Sequence, residues 1–255
     1  MRSEQQRADV MALVDEGLND CAVARLTGVP RSTVRDWRHG RFTTATRVKS
    51  ARCTRCGADL DDFERLPAAP YAYLLGVYLG DGHIVEGNRG VHRLRIFLDS
   101  RYPEIIYEIT EAMESVMPSK TTYREHHRTD ALVVLHMHSK QWPCLFPQHG
   151  PGRKHDRPIH LAAWQQRIVD AEPEAFLRGL IHSDGCRHIN RVWHESKSYE
   201  YPRYHFTNAS ADIRALFCAS CDRLGIPWRR MNARNISVAR REGVAALDEF
   251  VGPKR

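Results

Sequence analysis

The chain reads as an α+β protein, a small all-α domain followed by two αββαββα units. Three observations predict this. One short helical segment occurs twice, as Tyr73-Leu-Leu-Gly-Val-Tyr-Leu-Gly-Asp-Gly82 and as Phe176-Leu-Arg-Gly-Leu-Ile-His-Ser-Asp-Gly185. The two units end alike, in Gly150-Pro-Gly-Arg-Lys154 and Gly252-Pro-Lys-Arg255, placing a lysine 73 and 70 residues after the respective Asp. The first forty residues instead carry three short helical patterns separated by glycines.

In the N-terminal domain (residues 1–42), Ala8, Met11, Ala12 and Val14 mark a first helix over 4–16, stopped by Gly17. Asn19 or Asp20 caps a second helix, 21–27. Gly28-Val29-Pro30 turns the chain into a third, 31–39, ended by Gly40. This is a helix-turn-helix pattern, similar to the homeodomain-like folds of resolvases and transposases. Arg31, Ser32, Arg35 and Arg38 are its candidate phosphate or base contacts, whereas Val34 and Trp37, three apart, belong to its core. A three-helix protein-interaction domain would show the same pattern.

Residues 43–70 read as a linker with a Cys53-Thr-Arg-Cys56-Gly turn. Cys-x-x-Cys is half of a structural zinc site, so Cys53 and Cys56 are candidate Zn²⁺ ligands. No second pair lies nearby, and unligated thiols fit better. Cys218-x-x-Cys221 falls in an amphipathic helix, which makes Cys221 a core residue.

The first unit (71–172) reads as a motif helix, strands 83–86 and 91–98, a helix 102–117, strands 121–127 and 131–138, and a short helix near Trp142. The second (173–255) reads as a motif helix, a strand 201–208, a helix 211–224, strands 228–232 and 235–240, and a helix 242–250. Gly76 and Gly80, like Gly179 and Ser183, are small residues four apart on one helical face, which lets two helices approach closely. If they pack together, Asp81 and Asp184 arrive side by side, each followed by a glycine suited to a left-handed cap. A helix C-terminus is already partly negative, so two carboxylates converging there point to a bound cation. In the strands, Arg93, Arg95 and Phe97 alternate with Leu94, Ile96 and Leu98, and Arg203, His205 and Thr207 alternate with Tyr204 and Phe206. Each unit thereby offers one polar sheet face for bases or phosphates, although any half-exposed strand alternates in this way.

Bulk properties agree. The 255 residues are 42% hydrophobic, and no apolar run approaches the ~18 residues of a membrane span. Residues 1–57 hold 11 Lys/Arg against 6 Asp/Glu, so most of the net charge of +7 sits in the first quarter, which points to nucleic acid there, although a basic surface kept for solubility fits the charge equally. Seven cysteines and no signal-peptide-like start suit reduced thiols in a cytosol.

The duplicated segment resembles the LAGLIDADG motif of homing endonucleases. Leu74 to Gly82 and Leu177 to Gly185 line up with it residue for residue, with Leu79 and His182 departing at its earlier Asp. The resemblance implies a pseudo-twofold pair of repeats forming a DNA saddle. Asp81 and Asp184 would be catalytic and bind Mg²⁺ or Mn²⁺, and Lys154 and Lys254 would supply the basic residue that lines each water pocket. A plain phosphate contact or a solvated lysine fits Lys154 nearly as well, and Lys254 lies at the loose chain end. It also implies a double-stranded DNA partner, a monomer, no membrane, and a bacterial cytoplasm or nucleoid. The expected activity is site-specific, metal-dependent cleavage of both strands. The alternative is a domesticated transcriptional regulator without cleavage, since actinobacterial regulators also join a LAGLIDADG fold to a helix-turn-helix. An intein fits poorly, because no splicing nucleophile stands at Met1 and the end is Pro-Lys-Arg.

Overall fold

The structure, a computed structural model, describes residues 4–40, 53–57, 63, 65–126 and 131–255. Residues 43–52, 58–62 and 64 of the expected linker, and residue 127 of the expected strand 121–127, fall outside them. The chain divides into two compact units, Met1–Ser50 and Ala51–Arg255, so the Cys53–Gly57 turn belongs with the larger unit.

The smaller unit holds helices α1 (Glu4–Asp15), α2 (Asp20–Thr27) and α3 (Arg31–Arg38). Asn19 caps α2, its side chain accepting from the amides of Cys21 (3.1 Å) and Ala22 (3.0 Å). Gly28 takes a left-handed φ of 69° to start the turn, a conformation that favours glycine. Val10, Val23, Val29 and Val34 form the core, with Trp37 packed against it.

The larger unit runs α4 (Ala68–Gly80), β1 (Gly82–Glu86), β2 (His92–Asp99), α5 (Pro103–Val116), β3 (Tyr123–His126), β4 (Leu132–Ser139), α6 (Trp142–Leu145) and α7 (Ala163–Ala171). Then follow α8 (Pro173–Asp184), β5 (Gly185–His194), β6 (Lys197–Thr207), α9 (Ala211–Arg223), β7 (Arg229–Arg230), β8 (Asn235–Val238) and α10 (Arg241–Phe250). The two four-stranded antiparallel sheets repeat one order, β1-β2-β4-β3 and β5-β6-β8-β7. The equivalent register joins Gly82 to Ile96 in the first and Gly185 to Phe206 in the second. Helix α4 is apolar all round, and Tyr71 to Leu79 are all buried, as befits a helix at the centre of a core.

Three expectations are corrected. The second repeat has a strand, β5, not read from the sequence, and β6 begins at Lys197 rather than 201. Outside the buried Tyr204 and Phe206 end of β6 the hairpin has no buried face to announce it, since Ile189, Val192, Trp193, Tyr199 and Tyr201 are all exposed. Helix α7 was also unread, because Val169 is its only fully buried apolar residue. Finally, Gly82 and Gly185 are not left-handed caps. They open β1 and β5, and a Cβ there would stand 2.6 Å from Tyr78 Cα and 2.8 Å from Ile181 Cα. The glycines are needed for close approach to the preceding helix, not for φ.

Candidate active site and nucleic-acid interface

Helices α4 and α8 pack backbone against backbone. A Cβ on Gly76 would stand 2.5 Å from the Phe176 carbonyl oxygen and 2.8 Å from the Leu180 amide nitrogen. One on Gly179 would collide with the Tyr73 carbonyl, and one on Gly80 with the Ser183 side chain. Ser183 turns its own hydroxyl inward, donating to the carbonyls of Gly179 and Leu180 at 3.0 Å. All four small residues picked from the sequence lie at this crossing.

The crossing delivers both helix ends to one place. Asp184, the last residue of α8, has Oδ2 3.0 Å from where a Gly80 Cβ would stand. Asp81 follows Gly80 directly, its amide donating to the Val77 carbonyl at 3.0 Å. Burial pushes the Asp81 carboxyl up to about 6, with the Asp184 charge adding to the rise and Lys254 and Lys154 opposing it. Burial also raises Asp184, against a hydrogen bond from Asn208 and the same two lysines. The Asn208 carboxamide donates to Asp184 Oδ2 at 2.6 Å.

Each lysine closes the end of its own repeat's motif helix. Lys154 Nζ donates to the carbonyls of Tyr78, Leu79 (3.0 Å) and Gly80 (2.8 Å), and Lys254 Nζ to those of His182 (2.7 Å) and Ser183 (3.3 Å). Cations are favoured at these carbonyl-rich ends. Burial lowers both, Lys154 to about 8, against the pull of the two aspartates. Neither is a solvated lysine, and Lys254 is held although it is the penultimate residue. Arg157 fixes the loop that carries Lys154 by donating to the Gln148 (3.1 Å) and Gly152 (2.8 Å) carbonyls. A cavity of about 450 Å³ opens here, lined among others by Lys154, Asp184, Asn208, His83 and Arg157.

Sequence reasoning missed Asn208 and Arg157. An Asn two residues before the capping Ser210, whose amide donates to Asn208 Oδ1 at 2.7 Å, was the available signal for the first. His182, at the position where the motif departs, is a core group. Its Nδ1 lies 2.9 Å from Tyr73 Oη, and burial together with Arg178 lowers it to about 3, which keeps it neutral. Arg178 grips the Glu108 carboxylate at 2.6 and 2.8 Å, fastening α8 to α5.

The pleat puts Arg93, Arg95 and Phe97 on one face of the first sheet, with Leu94, Ile96 and Leu98 buried on the other. Cross-strand register sets His83, Arg95, His136 and Tyr123 in one row. In the second sheet Arg203, His205 and Thr207 share a face with Cys186 and His188. On these faces Arg95 Nε, His136 Nδ1, His188 Nδ1, Arg203 Nε, His205 Nε2 and Ser237 Oγ are all shielded yet have no hydrogen-bond partner among the described residues. Shielded polar atoms without partners are rare in folded proteins, and here they gather on the two faces.

In the smaller unit Arg31, Ser32 and Arg35 are exposed on α3. Arg38 is engaged internally, with Nε 2.9 Å from Asp20 and Nη2 donating to the Leu18 carbonyl at 2.5 Å. In the larger unit Cys53 and Cys56 meet a third thiol that sequence proximity did not reveal. Cys53 Sγ is 3.5 Å from Cys144 Sγ, and the sulfurs of Cys53, Cys56 and Cys144 all lie within 4.8 Å of one another. None of the helices is long and apolar enough to cross a membrane among the described residues.

Residues 1–41 match the family model described as a homeodomain-like domain. No curated protein matches the chain. Among solved structures the chain is similar to I-DmoI in complex with DNA and Mn, at 15% identity over 74% of this chain and 98% of that one, with a TM-score of 0.49. It is also similar to the homing endonuclease I-WcaI bound to its DNA recognition sequence (12%, 76% and 86%, TM-score 0.45). A third is the LAGLIDADG meganuclease I-AabMI bound to uncleaved DNA (12%, 71% and 82%, TM-score 0.46).

Proposed function

We propose that the chain binds double-stranded DNA and that its larger unit is a two-repeat nuclease of the LAGLIDADG type, hydrolysing a phosphodiester on each strand. The observation that carries this reading is the delivery of two half-buried carboxylates to one point by the α4–α8 crossing, with a lysine behind each. The donors fit a hard divalent cation, Mg²⁺ or Mn²⁺. They are carboxylate oxygens brought close together, and burial disfavours their charged forms, which a cation between them would stabilise. Asp81 and Asp184 would hold the cation, which when bound supplies charge neutralisation for the phosphoryl group and an acidified water. Asn208 fixes which oxygen of Asp184 faces the site. Lys154, its ammonium held by the Tyr78, Leu79 and Gly80 carbonyls, would steady charge on the phosphate through space. Lys254 serves the other strand. The polar sheet faces that carry Arg95, Arg203, His188 and His205 would lie against base edges and phosphates. In the smaller unit Arg31, Ser32 and Arg35 add contacts, with Arg38 holding their helix. One chain carries both halves, so the working species is a monomer.

A second reading has its own observation. Two half-buried lysines already balance the two aspartates, so the site is electrically closed without a cation. A regulator that binds DNA without cutting would look the same. The test is incubation of the full chain with a randomised duplex library and Mg²⁺, followed by sequencing of new ends, with the Asp81→Asn/Asp184→Asn protein as control. New ends with one short overhang, absent from the control, establish the nuclease. Specific, metal-independent retention by both proteins without cutting leaves the regulator.

A further inference from the structure

We propose that Cys53, Cys56 and Cys144 are ligands of one zinc ion, which fastens the 53–57 turn to helix α6 of the larger unit. Three thiols converge from two distant stretches of chain, with all sulfurs within 4.8 Å of one another. Thiolates at about 2.3 Å from a tetrahedral zinc stand about 3.8 Å apart, and Cys53 and Cys144 are already 3.5 Å apart. The Cys-x-x-Cys turn has the form a zinc site uses. The Gly57 amide donates to the Cys53 carbonyl at 2.8 Å, and Gly57 takes a left-handed φ of 72°. The amides of Cys56 and Arg55 are directed at the Cys53 sulfur. Such N–H groups stabilise a thiolate.

A disulfide is the competing use of two such thiols. It would need the sulfurs at about 2.05 Å and would leave the third with no role. The soft, three-sulfur donor set selects zinc over the hard cations suited to the aspartates. The fourth position of the tetrahedron goes to a solvent or other non-thiolate donor. All three residues are partly exposed, so the metal can enter.

The test uses the full chain in the Asp81→Asn/Asp184→Asn background. That background removes the carboxylates as zinc acceptors and makes the outcome independent of the nuclease reading. Protein stripped by chelator under reducing conditions is titrated with Zn²⁺ against a chromophoric competitor, and separately with Co²⁺. The expected result is one zinc per chain and a cobalt spectrum of tetrahedral, thiolate-rich coordination. Cys144→Ser should lose at least about a hundredfold in affinity, one ligand's share of a four-ligand site, while Cys21→Ser in the smaller unit binds normally. Absence of zinc uptake by the reduced parent overturns the proposal. So does undiminished binding by Cys144→Ser, or a cobalt spectrum without thiolate charge transfer, which decides the matter even if that variant folds badly.

Discussion

Removing the charge of Asp81 should make the protein more stable, not less. The carboxyl titrates at about 6 in the folded chain against 3.8 as a free group. A rise of that size means the ionised form is disfavoured by about 3 kcal/mol relative to the neutral one, at about 1.4 kcal/mol per pH unit. Asn mimics the neutral form in size and polarity. Asp81→Asn is therefore expected to gain about 3 kcal/mol at pH 7.5 without divalent cations, or roughly 6 °C or more in Tm for a unit of this length. The sign follows from linkage. The folded pKa lies above the unfolded one, so the wild type loses stability relative to the variant as pH rises from 3.8 to about 6, and the gap is constant above that. Below 3.8 the carboxyl is protonated in both states and the two proteins should coincide. Urea unfolding of both proteins from pH 3.5 to 8 would measure this. Added Mg²⁺ should close the gap by stabilising the wild type alone. Equal stability at pH 7.5, or a gap that does not change between pH 4 and 7, would refute the argument that burial strains this carboxylate.

Other expectations are open to direct measurement. Gly179→Ala drives a methyl into the Tyr73 carbonyl, a backbone atom with no room to yield, and should cost about 3 kcal/mol in urea unfolding. Asn208→Leu removes the carboxamide that donates to Asp184 and, if the larger unit is the proposed nuclease, should lower cleavage about 10–100-fold with DNA affinity unchanged; a matching loss of affinity would contradict a positioning role. Arg95→Ala and Arg203→Ala should each weaken DNA binding, and for whichever contacts a phosphate the slope of log K against log salt should fall by about one.

The duplicated core was legible because its requirements are local and repeated. A close helix crossing demands small residues at fixed spacing, and Gly76, Gly80, Gly179 and Ser183 announce it. The alternation in β2 and β6 is equally direct, because one face of each strand is buried. Where burial is absent the signal fails. Strand β5 holds its place by backbone pairing to β6 and exposes Trp193 at 71%, so nothing in its side chains marks a strand. Features assembled from distant segments were hidden for another reason. Cys144 joins Cys53 from the far side of the first repeat, and Asn208 reaches Asp184 from the end of a different strand. Lys154 and Lys254 could be placed by counting from each Asp, but their carbonyl partners emerged only with the fold.

The two hairpins that begin at the aspartates are unequal. Strand β1 has 5 residues and its counterpart β5 has 10. At about 3.4 Å per residue, the second arm reaches about 17 Å farther from the centre. Along a duplex with about 3.4 Å between steps, that is about five more base pairs on one side. The proposed target would therefore be lopsided about its cut. One arm could survey many more positions than the other, and a palindrome would be a poor substrate for a protein whose own halves no longer match.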